Sequence, residues 1–599
     1  MTAETEPSDN LSTESHWRPS AVAILLSLFV AVLIVSPSFW LGNASGHDIQ
    51  FHAGSWLDAA GQWREGILFP RWTEWANHGF GEPRFIFYPP LSWLLGAALG
   101  VVVPWNWVPV AFIVLVETFA GWSAYALARR MLPQRAALFG AVCYVANPNA
   151  LLIIYTRSDF AELLATAFFP LVILAAMQVA AILENRARNR LAILVLFSAL
   201  FAAVWLSNAP AGVMMSYTVA LLFAWAAWER KSWKPILAGG FGIVLGFGLA
   251  AFYIIPAAYE QRWVNIAQAL SSGLLPTQNF LYTDINDPEH NVFNWVASTA
   301  AILLIVVTGL ASLAARRTLL EEAGREKIRV WRALLLVSAT ATVLMLRFTW
   351  PLWHVLPKLR FVQFPWRWMS IVALAFSFFL AGAAARKRFA VAWVVVICVT
   401  LAGAGVTLAA IAWWDTEDIP TLQAGIAQDQ GFDGTDEYDP QGDDHYSLPV
   451  KAPRVEVLHG VHEHGAVAET RVAIVRWKSD DREIHVHSRV PMRLAVRLLN
   501  YPAWLVTVNG VPVKTESSGG ETNQMVVPVA AGDSVIAIRF GRTLDRTIGG
   551  EVSLLSLIGA LLLWYWPAKN QGLLQKTVPG GAAAVAHGHG AARPAPPGC

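Results

Sequence analysis

The stretch from residue 21 to residue 41 reads AVAILLSLFVAVLIVSPSFWL and contains no charged side chain. An apolar run of about 17–25 residues is long enough to cross the hydrocarbon core of a bilayer as a helix. The run is longer than the apolar core of a signal peptide, and no obvious small-residue cleavage site follows it. We therefore predict that residues 21–41 form a retained first membrane span.

The whole chain has the same character as this run. Its 599 residues are 55% hydrophobic and 14% charged, whereas soluble domains usually carry about a quarter charged residues. The net charge of +2 gives no reason to expect nucleic acid as a partner. Cys143, Cys398 and Cys599 are widely scattered, which predicts neither a disulfide framework nor a zinc site. The composition is that of an integral membrane protein.

Similar apolar runs recur along the sequence and predict about 12–13 spans. They lie at 21–41, 107–128, 135–150, 160–183, 191–208, 211–228, 235–255, 294–314, 331–349, 366–385, 389–413 and 549–567. Residues 91–103 are also apolar, but they reach only about two-thirds of a spanning length and follow two prolines. For this segment we predict a short or interfacial helix.

Basic clusters between the runs predict the topology, because Lys and Arg concentrate in cytoplasmic loops. The clusters are Arg129, Arg130 and Arg135; Arg186, Arg188 and Arg190; Arg230, Lys231 and Lys234; the loop 316–332; and Arg386, Lys387 and Arg388. With a cytoplasmic N-terminus and about twelve spans, all of them fall inside. The segments predicted outside, where we expect the chemistry, are 42–90, 151–159, 256–293, 350–365 and 414–548.

The composition changes abruptly after residue 413 and predicts an extracytoplasmic domain at 414–548. Six runs alternate between apolar and polar residues as half-buried strands do. They are RVEVLHG, RVAIVRW, EIHVHSRV, LAVRLL, WLVTVNG and SVIAIRF. Asn509-Gly510 predicts a tight hairpin, because both positions tolerate positive φ. We expect an antiparallel β-sandwich that either covers the membrane site or binds carbohydrate.

The domain organisation follows from these segments. We predict a disordered cytoplasmic N-terminus at 1–20, a transmembrane domain at 21–413 with an outer loop at 42–90, the sandwich at 414–548, a final span at 549–567, and a disordered cytoplasmic tail at 568–599.

The first outer segment carries Asp48 and His52, which are four residues apart and would share one face of a helix. A carboxylate and an imidazole so placed can bind a metal, or one can act as a base that the other orients. The alternative is that Asp48 caps an interfacial helix while His52 faces the lipid headgroups.

The second and third outer segments add further ionisable residues. Asp159 and Glu162 lie three apart at the entrance of a span, where charges are costly unless they are solvated or paired, and Arg157 can neutralise them or bind a phosphate. The alternative is that the two acids only complement the helix dipole. Farther along the chain, His290 follows Asp287 in a segment that is either a metal ligand set or a solvated loop with a helix cap.

The fourth outer segment mixes aromatic residues with Lys358, Arg360 and Arg367. Tryptophans are common at the membrane–water interface, so a plain aromatic belt is one interpretation. Arg367 begins a span on the side predicted to be poor in basic residues, which favours a lipid-phosphate site, because Arg offers phosphate a bidentate fork.

Several stretches resemble the bacterial membrane family labelled "6-pyruvoyl-tetrahydropterin synthase-related". They are GHDIQFH (46–52), FPRW (69–72), GFGEPRFIFYPPL (79–91), RSDFAELLA (157–165), LRFVQFPWRW (359–368) and GTDEYDP (434–440). The last segment and the following sandwich are also similar to the YfhO-like membrane proteins. An acid just after the first span, a Trp-rich loop and a Pro-Pro-Leu helix entry further resemble the GT-C superfamily of membrane glycosyltransferases.

The GT-C resemblance implies a polyprenyl-phosphate-linked sugar donor and a catalytic acid in the first outer loop. Asp48 matches that position. Many GT-C enzymes carry two acidic residues there, whereas here His47 occupies the neighbouring place, which leaves metal dependence open.

These patterns together predict a GT-C-like glycosyltransferase in the bacterial cytoplasmic membrane, acting at its outer face. We expect it to meet membrane lipid, a lipid-linked sugar donor and a glycan or lipid acceptor. The catalytic candidates are Asp48, Asp159 and Glu162; the candidates for substrate or lipid-phosphate binding are Arg71, Tyr88, Arg157, Arg360 and Arg367; the candidate ligands of a divalent metal are Asp48, His52 and His290.

Two other classes of function stay open. A transporter or flippase for lipid-linked saccharides would carry ionisable residues near mid-membrane, as Glu117 in the second run does, and an internal repeat, which we do not find. A non-catalytic assembly factor would depend on the sandwich and would tolerate loss of the acids.

Overall fold

The computed structural model describes residues 17–181, 190–321, 325–385, 390–458, 470–519 and 522–575. Most of the two segments predicted to be disordered, namely residues 1–16 and 576–599, lies outside this described part of the chain. Five of the basic residues used for the topology also lie outside it: Arg186, Arg188, Arg386, Lys387 and Arg388.

The helices of the described residues fall into spans and short connecting helices. Those that precede the middle of the chain are α1 (Trp17–Val35), α2 (Ser38–Leu41), α3 (Ile49–Arg64), α4 (Arg84–Phe87), α5 (Pro90–Val102), α6 (Val108–Arg129), α7 (Gln134–Val145), α8 (Pro148–Leu152), α9 (Phe160–Ala180), α10 (Arg190–Ser207), α11 (Ala209–Arg230), α12 (Lys234–Leu249) and α13 (Ala251–Glu260). The others are α14 (Pro288–Glu321), α15 (Arg325–Leu344), α16 (Trp350–Val355), α17 (Met369–Ala384), α18 (Ala390–Ile411), α19 (Asp418–Ala427) and α20 (Leu544–Gln575).

Within the described residues, ten helical segments are long and apolar enough to cross a membrane. The segments Lys234–Leu249 with Ala251–Trp263 and Lys327–Leu344 with Arg347–Val355 are bent by 74° and 87°, and they raise the number to twelve if each pair is one span. Helix α5 has 13 residues, so it is a short apolar helix, as predicted. The predicted polytopic α-helical fold is confirmed.

The segment Gln134–Arg157 shows how local sequence shapes a span. Asn147-Pro148 interrupts it, because proline cannot donate a backbone hydrogen bond, and the Asn147 side chain caps α8 by accepting from the amides of Asn149 and Ala150 at 2.9 and 3.1 Å. The helix then widens into a π-turn at Ile153–Arg157 and ends at Ser158, whose φ is +53°. Wide turns of this kind are frequent at functional sites, and this one carries Arg157.

The C-terminal region forms two antiparallel sheets, as the alternating runs predict. The strands are β1 (Asn43–Ala44), β2 (Trp414–Asp415), β3 (Val455–Leu458), β4 (Arg471–Trp477), β5 (Asp481–Ser488), β6 (Met492–Leu499), β7 (Trp504–Val508), β8 (Val511–Pro512), β9 (Glu516–Gly519), β10 (Thr522–Val529) and β11 (Gly532–Phe540). The sheet orders are β3-β6-β10-β9 and β4-β5-β11-β7-β8, while β1 and β2 form a separate pair. Asn509 and Gly510 have φ of +51° and +77° and join β7 to β8, which confirms the predicted hairpin.

The sandwich shares its core with the first outer loop. Trp72 packs against Trp504 and Tyr501 of the sandwich, and Phe80 belongs to the same apolar cluster. The buried Arg482 on β5 donates to Glu74 of the loop at 2.6 Å. The sandwich therefore packs directly on the first outer loop and shares an apolar core with it.

The segments predicted outside meet at one end of the helix bundle. Residues 43–44 pair with 414–415, the amide of Asp48 donates to the carbonyl of Arg157, and Arg367 lies beside Asp159. A separate cavity of about 270 Å³ is lined by Arg130, Arg230 and Arg329, which come from three of the clusters predicted to lie inside. The division of the loops into two sets agrees with the topology, and the orientation of each set in the membrane stays a prediction.

Candidate functional site

A buried ionic cluster joins the second and fourth outer segments. The Arg157 guanidinium donates to Glu162 at 2.5 Å and to Asp159 at 2.6 Å. Arg367 approaches the same two carboxylates, with its Nε 3.0 Å from Glu162 and an Nη 3.5 Å from Asp159. All four side chains are buried, so their charges are balanced in pairs, as charges removed from water must be. Trp366 adds its ring, 5.1 Å from the centre of the Arg157 guanidinium.

The turn between the π-turn and α9 sets this geometry. Ser158 adopts the left-handed conformation, which reverses the chain and brings Arg157 and Asp159 to the same side. Asp159 is the N-cap of α9, and its carboxylate accepts from the amide of Glu162 at 2.8 Å. Asp159 therefore caps the helix, as the alternative interpretation predicts, and it is also paired with Arg157. Although burial opposes it, Arg157 holds the pKa of Asp159 well below its usual range.

Asp48 reaches this cluster from the first outer loop. Its carboxylate is 3.9 Å from the Arg157 guanidinium. The loop is fixed by bonds from the Gly46 amide to the Ser158 hydroxyl at 3.0 Å and from that hydroxyl to the carbonyl of Ala44 at 2.8 Å. Asp48 occupies the N-cap position of α3, yet its side chain makes no capping hydrogen bond. The interpretation of Asp48 as a simple helix cap is therefore not supported.

Asp48 differs from the other two acids in its surroundings. Its side chain is 40% exposed, against 3% for Asp159. Burial nevertheless raises the pKa of Asp48, and the Asp159 carboxylate raises it further, while Arg157 lowers it. Asp48 is thus partly open to solvent while it faces the buried ion pairs; we call this partly open side of the cluster, formed by Asp48, Arg157 and Asp159, the recess. Three carboxylates face two guanidinium groups, so Asp48 supplies the negative charge that the arginines leave unbalanced.

Aromatic side chains pack beside this cluster. His52 is buried on α3, with its Nε2 3.7 Å from Asp159, which is too long for a hydrogen bond. The rings of Tyr88 and Phe160 lie 5.7 and 5.4 Å from the His52 ring. Burial raises the pKa of Tyr88 well above its usual value, and Asp159 and Asp48 add to the effect. The Tyr88 phenol therefore stays protonated beside the acids.

Three sequence-predicted residues lie away from this cluster. Arg360 is exposed and stacks on Phe361. Arg71 lines a different cavity, beside Arg542 and Arg546. The ring of His290 contacts the carbonyl of Gln278 at 3.3 Å.

The predicted metal ligands are therefore not brought together. Among the described residues, no three His, Cys, Asp or Glu side chains form a group that could hold a metal ion. The side chain of Asp159, the acid nearest His52, is already engaged by Arg157 and by the amide of Glu162. The side chains here do not fit a metal held by the protein alone.

Two of the motifs noted in the sequence, one in the first outer loop and one before the sandwich, contact each other. Glu82 and Arg84 form a buried ion pair, and they bind the backbone amide and the hydroxyl of Thr435 at 2.9 and 3.1 Å. Tyr438 stacks on Phe87 with ring centroids 5.8 Å apart. The GTDEYDP and GFGEPRF stretches are thus two halves of one contact. Glu82, Arg84 and Trp366 had no distinguishing signal in the sequence beyond their place in the motifs.

The helix bundle and this clustered site define the chain as a polytopic α-helical membrane protein with a C-terminal β-sandwich. More specifically, it belongs to the 6-pyruvoyl-tetrahydropterin synthase-related family of membrane proteins, whose model matches residues 85–411, more than half of the chain. A search of curated proteins gave no match.

Among solved structures, the chain is similar to three membrane proteins. The oligosaccharyltransferase AglB from Archaeoglobus fulgidus, solved with an inhibitory peptide and a dolichol-phosphate, shares 13% identity at a TM-score of 0.39, over 70% of this chain and 56% of AglB. The arabinofuranosyltransferase AftD from Mycobacteria shares 15% identity at a TM-score of 0.41, over 88% of this chain and 42% of AftD. ArnT from Cupriavidus metallidurans, bound to undecaprenyl phosphate, shares 13% identity at a TM-score of 0.27, over 66% of this chain and 78% of ArnT.

The chain thus spans little more than half the length of AglB and less than half that of AftD. Likeness of this degree assigns no activity to it.

Proposed function

We propose that this protein is a GT-C-type glycosyltransferase that transfers a sugar from a polyprenyl-phosphate carrier at the outer face of the bacterial cytoplasmic membrane. The observation that carries the proposal is the state of Asp48. This acid stands where the GT-C resemblance implies the catalytic residue, and it is the most exposed carboxylate of the cluster. A raised pKa makes a carboxylate a better general base near neutral pH, and desolvation raises the pKa of Asp48.

In the proposed reaction, Asp48 accepts the proton of an acceptor hydroxyl as that oxygen bonds to the anomeric carbon of the donor sugar. The bond from this carbon to the phosphate oxygen breaks, and its electron pair leaves with the polyprenyl phosphate. The proton remains on the Asp48 carboxylate. Negative charge grows on the departing phosphate, so positively charged donors placed beside it lower the barrier.

Arg157 and Arg367 are the groups proposed to meet that phosphate. A guanidinium has five N–H donors, and Arg157 uses two of them for Asp159 and Glu162. The remaining donors can serve a phosphate oxygen. Asp159 and Glu162 then act as positioning residues, because they hold both guanidinium groups at the recess. Tyr88 can donate its retained phenolic proton to a substrate oxygen.

The test compares Asp48→Asn with the matched control Asp433→Asn, an acid that is 82% exposed and outside the cluster. Each variant would complement cells that lack the protein, at equal protein levels, and mass spectrometry would quantify lipid-linked sugars and glycan products. Loss of a general base typically costs about 10²–10⁴-fold in rate, so we expect product to disappear with Asp48→Asn alone. Unchanged product in that variant would remove Asp48 from the mechanism.

A further inference from the structure

A second group of arginines lies in a cavity of about 480 Å³ between the β-sandwich and the spans. Its wall includes the phenyl rings of Phe69, Phe252 and Phe540 and the guanidinium groups of Arg71, Arg542 and Arg546. Asp480 is the acidic residue in the lining. The cavity therefore has more positive than negative charge on its walls.

The three arginines are not equally neutralised. Arg546 is buried and forms a bidentate pair with Glu260 at 2.6 and 2.8 Å. Among the described residues, Arg71 and Arg542 have no ion-pair partner. Burial lowers the pKa of Arg71 to about 10, and the charges of Arg546 and Arg542 contribute, while Glu260 opposes them. Like charges held close together are costly unless an anion compensates them.

Local packing fixes where two of these guanidinium groups lie. The Arg71 guanidinium sits over the Phe69 ring, 4.5 Å from its centroid. A Cβ on Gly550 of α20 would come within 2.8 Å of an Arg542 Nη, so the missing side chain of this glycine lets Arg542 lie against the helix. Both guanidinium groups therefore lie against parts of the protein that line the cavity.

We infer that this cavity binds a phosphate group, and that the phosphate is the headgroup of an anionic membrane lipid. Guanidinium groups match phosphate oxygens in shape and charge. The apolar part of the wall continues onto apolar helices of the membrane domain, because Phe69 packs on Trp93 of the short helix α5 and on Phe252 of α13. Helix α20, which contributes Arg546 and Gly550 to the lining, exposes Leu544, Ile548 and Leu555, which offers a surface for acyl chains.

This lipid site is independent of the proposed glycosyl transfer. It shares no lining residue with the Asp48 cluster, and it connects the sandwich, through Phe540, to the start of the last span. A bound lipid would therefore hold the sandwich against the membrane surface. Loss of lipid binding and loss of glycosyl transfer can therefore be measured separately.

The test measures ligand binding to the purified full-length protein by native mass spectrometry. The probes are short-chain phosphatidic acid, the matching zwitterionic phosphatidylcholine and inorganic phosphate. The variants are Arg542→Gln, whose side chain is exposed, and the double variant Arg71→Gln with Arg542→Gln. Arg493→Gln on the outer face of the sandwich is the matched control, because its charge is half-exposed and paired with Glu516.

We expect phosphatidic acid to bind the native protein, with at least about tenfold weaker binding in the double variant, a smaller loss in Arg542→Gln and no more than about a twofold change in the control. Binding of inorganic phosphate with the same loss would support the anion site with a soluble source in place of the lipid. Equal binding to the native protein, the double variant and the control, or no binding of either phosphate probe, would overturn the inference.

Discussion

The Asp48 carboxylate lies 3.9 Å from the Arg157 guanidinium, although 108 residues separate the two in the chain. Asp159 and Glu162 already occupy that guanidinium at 2.6 and 2.5 Å. Asp48 is therefore the third carboxylate around one arginine. The site keeps an acid whose charge is poorly compensated, an arrangement that costs stability and, in the proposed reaction, favours proton transfer.

Replacing Asp48 is expected to stabilise the protein while it removes activity. The folded-state pKa of Asp48 is raised, mainly by burial and then by Asp159, so the ionised form opposes folding at neutral pH. This cost is present above the folded-state pKa and disappears as the pH falls toward the ordinary value of about 3.9. Asp48→Asn should melt at a higher temperature than the native protein at pH 7.5, and the difference should shrink on acidification.

The same shift predicts the pH dependence of activity. A base must be deprotonated, so turnover should fall as the pH drops through the raised pKa of Asp48, with an inflection above about 3.9. Thermal unfolding and product assays over pH 4–8 would check both statements, with Asp433→Asn as the control. A lower melting temperature for Asp48→Asn at pH 7.5 would contradict this account of the recess.

Removing Arg157 is expected to be strongly destabilising. Arg157→Gln leaves Asp48, Asp159 and Glu162 facing Arg367 alone, and an uncompensated buried charge typically costs about 3–5 kcal/mol. The matched control is Arg360→Gln, since Arg360 is exposed and stacks on a single ring. Thermal unfolding in detergent should show a large drop for the first variant and almost none for the second. Similar melting temperatures would mean that the ion pairs do not hold the cluster together.

Gly46 is expected to tolerate no side chain. A Cβ there would lie 2.5 Å from the backbone carbonyl carbon of Arg157, so the loop that carries Asp48 would have to move. Overpacking of this kind typically costs about 1–3 kcal/mol, and we expect Gly46→Ala to lose activity as well.

Gly61, in the helix α3 that follows this loop, provides the control. A Cβ at this position meets nothing within 4 Å, and alanine is favoured over glycine inside a helix by about 0.5–1 kcal/mol. Gly61→Ala should therefore be neutral or stabilising. Equal behaviour of the two variants in unfolding and product assays would refute the proposed contact.

The sandwich should loosen when its buried ion pair with the outer loop is broken. Arg482 donates to Glu74, which also accepts from the indole of Trp477. Arg482→Leu leaves a buried carboxylate without its partner, at a cost of about 3–5 kcal/mol. Arg476→Leu is the control, because the pair of Arg476 with Glu483 is partly exposed and worth about 0–1 kcal/mol. Hydrogen exchange should show faster exchange in 72–88 and β5 for Arg482→Leu only; the same rates in both variants would count against this anchoring role.

The strands show where sequence pattern was sufficient and where it was not. The runs that alternate, such as 471–477 and 534–540, are strands in the structure. Strand β10 was missed, because TNQMVVPV has three consecutive apolar residues and a proline and no clear period of two. The bends in the spans at residues 250 and 345–346 were also missed, since hydropathy over a window records length and not direction.

In the candidate site, too, some contacts could be predicted from the sequence and others could not. Arg157, Asp159 and Glu162 are near neighbours in sequence, so their pairing followed from local spacing. Arg360 and Arg367 looked equivalent in the sequence, yet only Arg367 points into the cluster.

The sequence by itself determined the membrane class, the approximate spans and most strands, and it singled out Asp48 as a candidate, because apolar length, strand period and motif position are local properties. The tertiary structure decided which charges meet. It paired Asp159 and Glu162 with two arginines, left Asp48 partly exposed, and moved Arg71 to a separate cavity. The physical reason is that the free energy of a buried charge depends on partners brought from distant segments, and their distances are fixed only when the helices and the sandwich have packed.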